Sequence, residues 1–322
     1  MLRRLMFDKR SSTVKSSFIC HNSLVNAFSL SIFTTKMTDA TKPFANRLAV
    51  VFDFDETLAP DTFALLLQEM GLDVDTFKQQ RVKPLLDDGW DKYLARAYCL
   101  IEESKQREDK ITKERLAKVG RELKPFEGVP EMFERLRQCA YEIISDVEVE
   151  FYLITGGFVE MALNTSIASN FKAMWGCRFH YGADGEIKFI KQQMTNTEKT
   201  SYLYYLSQGM DGEKDKDLMF AYSSLSNDKL RIPLTQVIYV GDGASDAPCF
   251  TVVNQNGGIG IGLYKESNAK KWSQHEKIDA HQRVANVAPP DYSEDSELMQ
   301  SLTLAVEGIC KQIALRRLSI GE

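Results

Sequence analysis

Five apolar residues, Leu48 to Phe52, run without interruption into Asp53 and Asp55. Nothing else in the chain limits its fold so sharply. The run is too short for a helix to prefer and is apolar at successive positions. That pattern predicts a strand buried on both faces, as in the middle of a parallel sheet. Carboxylates at the exit of a buried strand are unfavourable unless something binds to them. In open α/β sheets the carboxyl ends of the strands are where ligands collect. A pair of acids held there can grip a hard cation, and one can attack an electrophile while the other moves protons.

Two further stretches repeat the pattern. Phe151 to Ile154 ends in Thr155-Gly156-Gly157, and a helix is expected from about 158 to 169. Glycines let the backbone approach an anion, and a helix start behind them offers free N–H groups. Gln236 to Val240 predicts another strand, followed at once by Gly241-Asp242-Gly243-Ala244-Ser245-Asp246. The two glycines are expected to permit a tight turn that returns Asp242 to the sheet edge. Asp246, four residues on, is placed to reach the same cation or its waters. Mg²⁺ suits such a set, since it accepts a few carboxylates and keeps waters and a phosphate oxygen as its other ligands.

In this order, Asp53-Phe54-Asp55-Glu56-Thr57, Thr155-Gly156 and Gly241-Asp242-Gly243-x-x-Asp246 resemble the motifs of the haloacid dehalogenase-like (HAD) superfamily, mostly Mg-dependent phosphatases. The resemblance spans roughly residues 44 to 290, carried by some twenty positions. It implies a phosphomonoester hydrolysed through an aspartyl-phosphate, with Asp53 as nucleophile and Asp55 as general acid and base. It implies phosphate binding by Thr155, Gly156 and a lysine, and Mg²⁺ binding by Asp53, Asp55 (through its main-chain carbonyl), Asp242 and Asp246. Thr57 is expected to hold Asp55 and its loop. Lys199, in the first turn of a helix running to about Ser207 and capped by Asn196 or Thr197, is preferred for the lysine by order and context. Lys191 and Lys229 are its rivals, and a loop is expected over 209–229. An acid at position 55 favours phosphoryl transfer over dehalogenation. A mutase or phosphotransferase would use the same groups, and a non-catalytic binding protein could keep the fold.

The implied fold is α/β: a Rossmann-like parallel sheet with helices on both faces and a small inserted α-helical cap, as in phosphoserine phosphatase-type members. The expected divisions are an extension over 1–43, a core over 44–60 and 127–322, and a cap over 61–126. Within the cap, helices are expected over 61–70, 90–104 and 105–123, with Trp90 and Tyr93 in the cap core. Phosphoserine phosphatases carry a glutamate nine residues after the nucleophile to hold the substrate's amino group. Here that position is Thr62, with Asp61 beside it, so the substrate stays open. Further on, the Asp184-Gly185 turn predicts a hairpin between 178–181 and 186–190. Strands follow over 259–263 and 283–287, and a closing helix over 297–316.

A formal charge of −5 argues against a sequence-independent nucleic-acid partner. No apolar run approaches the about 18 residues of a membrane span. Cysteines 20, 99, 139, 177, 249 and 310 form no CxxC pair and read as thiols of a reducing compartment, giving a cytoplasmic expectation. Zinc is not expected, because the four histidines lack ligand spacing. The first 36 residues hold six basic side chains, one acid and seven serines. That composition leaves open an organellar transit peptide, an unstructured tail, or an upstream extension before Met37. A small phosphorylated metabolite is the expected partner.

Overall fold

A computed structural model describes residues 46–210, 230–243, 245–264 and 284–320. The extension expected over 1–43, Cys20, Lys229 and most of the loop expected over 209–229 lie outside the described residues. Strand β1 (Arg47–Phe52) pairs in parallel with β2 (Glu148–Phe158) on one side and β5 (Val237–Gly241) on the other. Among the described residues the sheet has seven strands in the order β4-β3-β2-β1-β5-β6-β7. In it, β3 is Phe171–Tyr181, β4 Ile187–Gln192, β6 Ile259–Leu263 and β7 Asn286–Ala288. Only β4 runs antiparallel, as the return of the expected hairpin. From β1 the chain moves outward to β2, whereas from β5 it moves to β6 on the opposite side. The connections therefore diverge between the carboxyl ends of β1 and β5, which opens a crevice there.

Leu48 to Phe52 are all fully buried. Their alternate residues feed two apolar layers. Leu48, Val50 and Phe52 join Phe151, Leu153, Ile238 and Val240 beneath α6 (Val129–Ile143) and α10 (Glu297–Ile320). Leu298, Leu302, Ile309 and Ile313 recur at helical spacing on the inner side of α10. Ala49 and Val51 join Tyr152, Ile154, Val237 and Tyr239 on the other face. That layer also takes side chains from α8 (Lys199–Gln208) and α9 (Ala247–Gln255).

The segment 61–126 is helical. It comprises α1 (Thr62–Glu69), α2 (Val74–Phe77), a π-turn (Lys78–Val82), α3 (Lys83–Asp87), α4 (Lys92–Gln106) and α5 (Lys113–Glu122). Asp61 and Asp91 cap α1 and α4 with side-chain oxygens that accept from Phe63 N (3.1 Å) and from Tyr93 N and Leu94 N (2.9 and 3.0 Å). The helix expected over 105–123 is shorter, because the chain before Thr112 is tied to the β3–β4 hairpin. There Ile187 N donates to Ile111 O (2.9 Å) and Lys113 N to Gly185 O (3.0 Å). Ser104 Oγ, accepting from Ile111 N (3.0 Å), donates to the buried Glu186 (2.7 Å). Those backbone groups are engaged across to the hairpin and are lost to a helix ladder.

Three other expectations change. The helix expected over 158–169 shrinks to α7 (Val159–Ala162) and a 3₁₀ turn (Ala168–Asn170), because β2 runs on through Thr155-Gly156-Gly157 to Phe158. The last strand is Asn286–Ala288 and the closing helix reaches Ile320. The described cysteines are all free, and no described helix is long and apolar enough to cross a membrane.

Gly128 caps α6 in the left-handed region (φ 79°), and a Cβ there would collide with the Tyr292 carbonyl. Gly128→Ala should therefore destabilise the protein by about 2 kcal/mol or more. Denaturant unfolding checks this, and an unchanged midpoint would contradict the packing described.

Candidate active site

The crevice between β1 and β5 holds the acids. Asp53 N donates to Val240 O (2.9 Å), which carries the β1–β5 ladder one residue past the strand and fixes the Asp53 backbone. The chain then turns tightly: Phe54 O accepts from Thr57, Leu58 and Ala59 N at 3.2, 2.9 and 3.3 Å. Glu56 takes a left-handed conformation (φ 63°), the one non-glycine among the described residues to do so. Such strain persists only where surroundings enforce it. The enforcement comes from the turn and from Tyr292, whose hydroxyl donates to Thr57 O (3.0 Å). The Thr57 side chain does not hold Asp55, contrary to expectation. Its buried hydroxyl has no hydrogen-bond partner, and main-chain bonds shape the loop instead.

Asp55 is oriented from the insertion, where Thr62 N donates to its Oδ1 (2.9 Å). Its Oδ2 packs where a Cβ on Gly157 would stand, 2.5 Å away. Thr155 is buried, and its hydroxyl accepts from Gly157 N (2.9 Å). Gly156 lies in the strand, not at a helix start, and its missing side chain is replaced by the Tyr93 ring. Tyr93 is buried in the apolar layer it shares with Phe63 and Leu66 of α1 and also lies on the strand end, while Trp90 is exposed, its ring tilted against that of Tyr98.

Lys199 opens α8 with its ammonium fully buried, 3.0 Å from Asp53 Oδ1 and 2.8 Å from Asp246 Oδ1. The helix is entered through Thr195, whose hydroxyl accepts from Glu198 N (3.1 Å), not through a cap by Asn196 or Thr197. The rival Lys191 is exposed on β4. Asp246 Oδ1 also accepts from the Tyr239 hydroxyl (2.6 Å), while Oδ2 faces Gly243 N (3.3 Å). Neither glycine beside Asp242 has positive φ. Gly241 is needed for space, since a Cβ would lie 2.5 Å from Asp246 Cγ, whereas Gly243 is open.

Carboxylate oxygens of Asp53, Asp242 and Asp246 lie within 4.8 Å of one another. The Asp55 carboxylate is not in this group. Burial pushes the Asp53 pKa up to about 7; Lys199 opposes the rise, and Asp246 and Asp55 add to it. Burial, with Asp53 and Asp246 nearby, pushes Asp242 to about 8. Asp55 is also raised, by burial and by Asp61. Burial lowers the Lys199 pKa, but Asp246 and Asp53 outweigh it and hold the ammonium well above its usual value. Apart from the ion pair, Asp53 Oδ1 has no hydrogen-bond partner. Crowded hard oxygen donors from three carboxylates fit a divalent cation such as Mg²⁺.

Asp61 does not offer a free carboxylate. Lys78 Nζ is 3.0 Å from its Oδ2, and Arg96 reaches both oxygens at 3.3 Å. Burial alone would raise its pKa, but Arg96 and Lys78 bring it below the usual value. Sequence reading also missed Tyr239. As the polar tip in an apolar strand it carried a signal, since a buried tyrosine hydroxyl needs a partner.

No protein-family model matches the chain. An uncharacterized protein of Borreliella burgdorferi is 23% identical over 301 residues, covering 83% of this chain and 98% of that protein. Among solved structures, a probable phosphoserine phosphatase from Vibrio cholerae, unliganded, aligns with a TM-score of 0.53 at 14% identity. It covers 85% of this chain and 69% of that one. A phosphoserine phosphatase solved as an analogue of its phospho-aspartyl intermediate gives 0.50 at 16%, covering 80% and 98%. The fold is that of these phosphoserine phosphatase structures.

Removing one member of a buried ion set leaves the others uncompensated. Lys199→Met is therefore expected to lose about 3 kcal/mol of stability. Chemical denaturation reads this, and a loss below about 1 kcal/mol, the range of an exposed pair, would argue against the ionic pin.

Proposed function

We propose that the protein is a Mg²⁺-dependent phosphatase that hydrolyses a small phosphomonoester through an aspartyl-phosphate on Asp53. One observation carries the reading: acids from the ends of two adjacent strands meet at one point, tied together by a buried lysine. The solved neighbours of the same fold include phosphoserine phosphatases, which supports it. The substrate is not carried over from them.

In this reading an Asp53 carboxylate oxygen attacks phosphorus and the ester oxygen departs. Asp55, held by Thr62 N, gives that oxygen a proton and then takes one from the water that hydrolyses the acyl phosphate. Thr155, the Gly156 N–H and Lys199 stabilise the peripheral phosphoryl oxygens as charge spreads over them. Tyr93, packed on Gly156, excludes water from the strand end. Asp246 keeps the Lys199 ammonium in place, with the Tyr239 hydroxyl fixing its carboxylate. The cation, held by Asp53, the Asp55 carbonyl, Asp242 and Asp246, would supply positive charge that screens the nucleophile from the phosphoryl oxygens. The helical segment 61–126 acts as the cap, and the free cysteines support a cytoplasmic location.

Asp53→Asn should keep the fold and lower Mg-dependent phosphate release from p-nitrophenyl phosphate by about a thousandfold or more. Near-normal release by that variant would overturn the assignment.

A further inference from the structure

At the strand ends, one face of the sheet carries an acid between two glycines. Ala49 and Val51 of β1, Tyr152 and Ile154 of β2, and Val237 and Tyr239 of β5 share one apolar layer. The same alternation brings Asp53, Gly156 and Gly241 next on that face. Phe158, two residues past Gly156, returns to the layer. Other residues take the space the glycines leave. A Cβ on Gly241 would lie 2.5 Å from Asp246 Cγ, and one on Gly156 would lie 2.1 Å from Tyr93 Cζ and 2.2 Å from its hydroxyl oxygen. Asp53 thus stands between Asp246, which pairs with Lys199, and a phenol delivered by α4. The Tyr93 ring is buried in the apolar layer. Its hydroxyl donates to no described residue, although the surrounding charges act on it. Burial pushes its pKa up; Lys199 opposes the rise, and Asp53, Asp246 and Asp55 add to it. The phenol therefore keeps its proton and is a donor.

We propose that Tyr93 is a further catalytic residue, its hydroxyl donating a hydrogen bond to a phosphoryl oxygen beside the Gly156 N–H. The proposal rests on the phosphatase reading of Asp53. In that reading the phosphorus meets Asp53, and its peripheral oxygens turn to Thr155, the Gly156 N–H and Lys199. The phenol stands on the Cα of the residue whose amide it would accompany, so an oxygen that reaches the amide is within reach of both donors. A neutral donor suits this position. It stabilises charge spreading onto the oxygens without cancelling the Asp53 charge that attack requires, whereas a second ammonium would pair with the nucleophile as Lys199 already does. The ring is fixed by its burial, so the O–H needs little reorganisation when charge develops, and a site walled off from water makes such a donor stronger. The proton stays on the phenol throughout, and Asp55 remains the acid and base.

Tyr93→Phe keeps the ring on Gly156 and removes only the donor. With p-nitrophenyl phosphate and Mg²⁺, the variant should lose about tenfold in kcat, the scale of one buried hydrogen bond, with KM within about threefold. Orthovanadate, which adopts the five-coordinate geometry of a phosphoryl group in transfer, gives a second readout. Its inhibition constant should rise about tenfold in Tyr93→Phe, while that of inorganic phosphate stays within about twofold. An unchanged kcat, a loss carried by KM alone, or an equal weakening of vanadate and phosphate overturns the proposal, because a ring that only excludes water does not distinguish the two anions. Should the wild type release no phosphate, the phosphatase reading fails. Calorimetric binding of orthovanadate with Mg²⁺ then decides the donor alone. Equal affinity in the two proteins, or none in the wild type, sinks it, and binding about tenfold weaker in Tyr93→Phe sustains it.

Discussion

A buried ammonium between two buried carboxylates holds this site together. Lys199 has no solvent contact, and neither does Asp246, its partner. Asp53 is nearly as enclosed. Each of these groups is unfavourable alone, because taking an ion out of water costs several kcal/mol that only close pairing offsets. The three come from the end of β1, the start of α8 and the segment entering α9. Their mutual need therefore fixes how three distant parts of the chain meet. The Tyr239 hydroxyl and Gly241 serve the same end, one by satisfying Asp246 and the other by leaving room for it.

The sheet decides where that meeting happens. With β1 between β2 and β5, and the connections leaving in opposite directions, the crevice falls beside Asp53 and Asp242. The insertion is then held over the crevice by two anchors. One is the Ser104–Ile111–Glu186 attachment to the β3–β4 hairpin. The other is Gly120, where a Cβ would collide with the Met161 carbonyl, so that α5 sits directly against α7. From the start of α4, Tyr93 lies against the strand end at Gly156.

The strands and their acids were legible in the sequence because buried parallel strands leave continuous apolar runs, and the residues that follow such runs are few and polar. Lys199 was legible only through order along the chain, since nothing local marks a lysine as buried. Boundaries failed where long-range bonds prevail over local preference. Residues 107–111 look helical, but Ile111 bonds to the hairpin through its carbonyl and to Ser104 through its amide. Thr155-Gly156-Gly157 look like a turn, but lie within β2 where its pairing with β3 shifts register. Of the glycines next to Asp242 neither has positive φ, and Gly241 yields space to a carboxylate five residues away. Contacts such as Tyr93 on Gly156 join positions 63 residues apart, and no local pattern encodes them.

Asp61 shows how position alone misleads about chemistry. It stands one residue before the place where an amino-binding glutamate is found in phosphoserine phosphatases, and its charge could suggest the same task. Its carboxylate instead caps α1 and neutralises Lys78 and Arg96. The net result is a mouth whose fixed acids are already matched and whose floor carries excess negative charge. Under the phosphatase reading, a phosphoryl group would meet that floor beside Lys199, while Asp61 offers no free charge to the rest of the molecule.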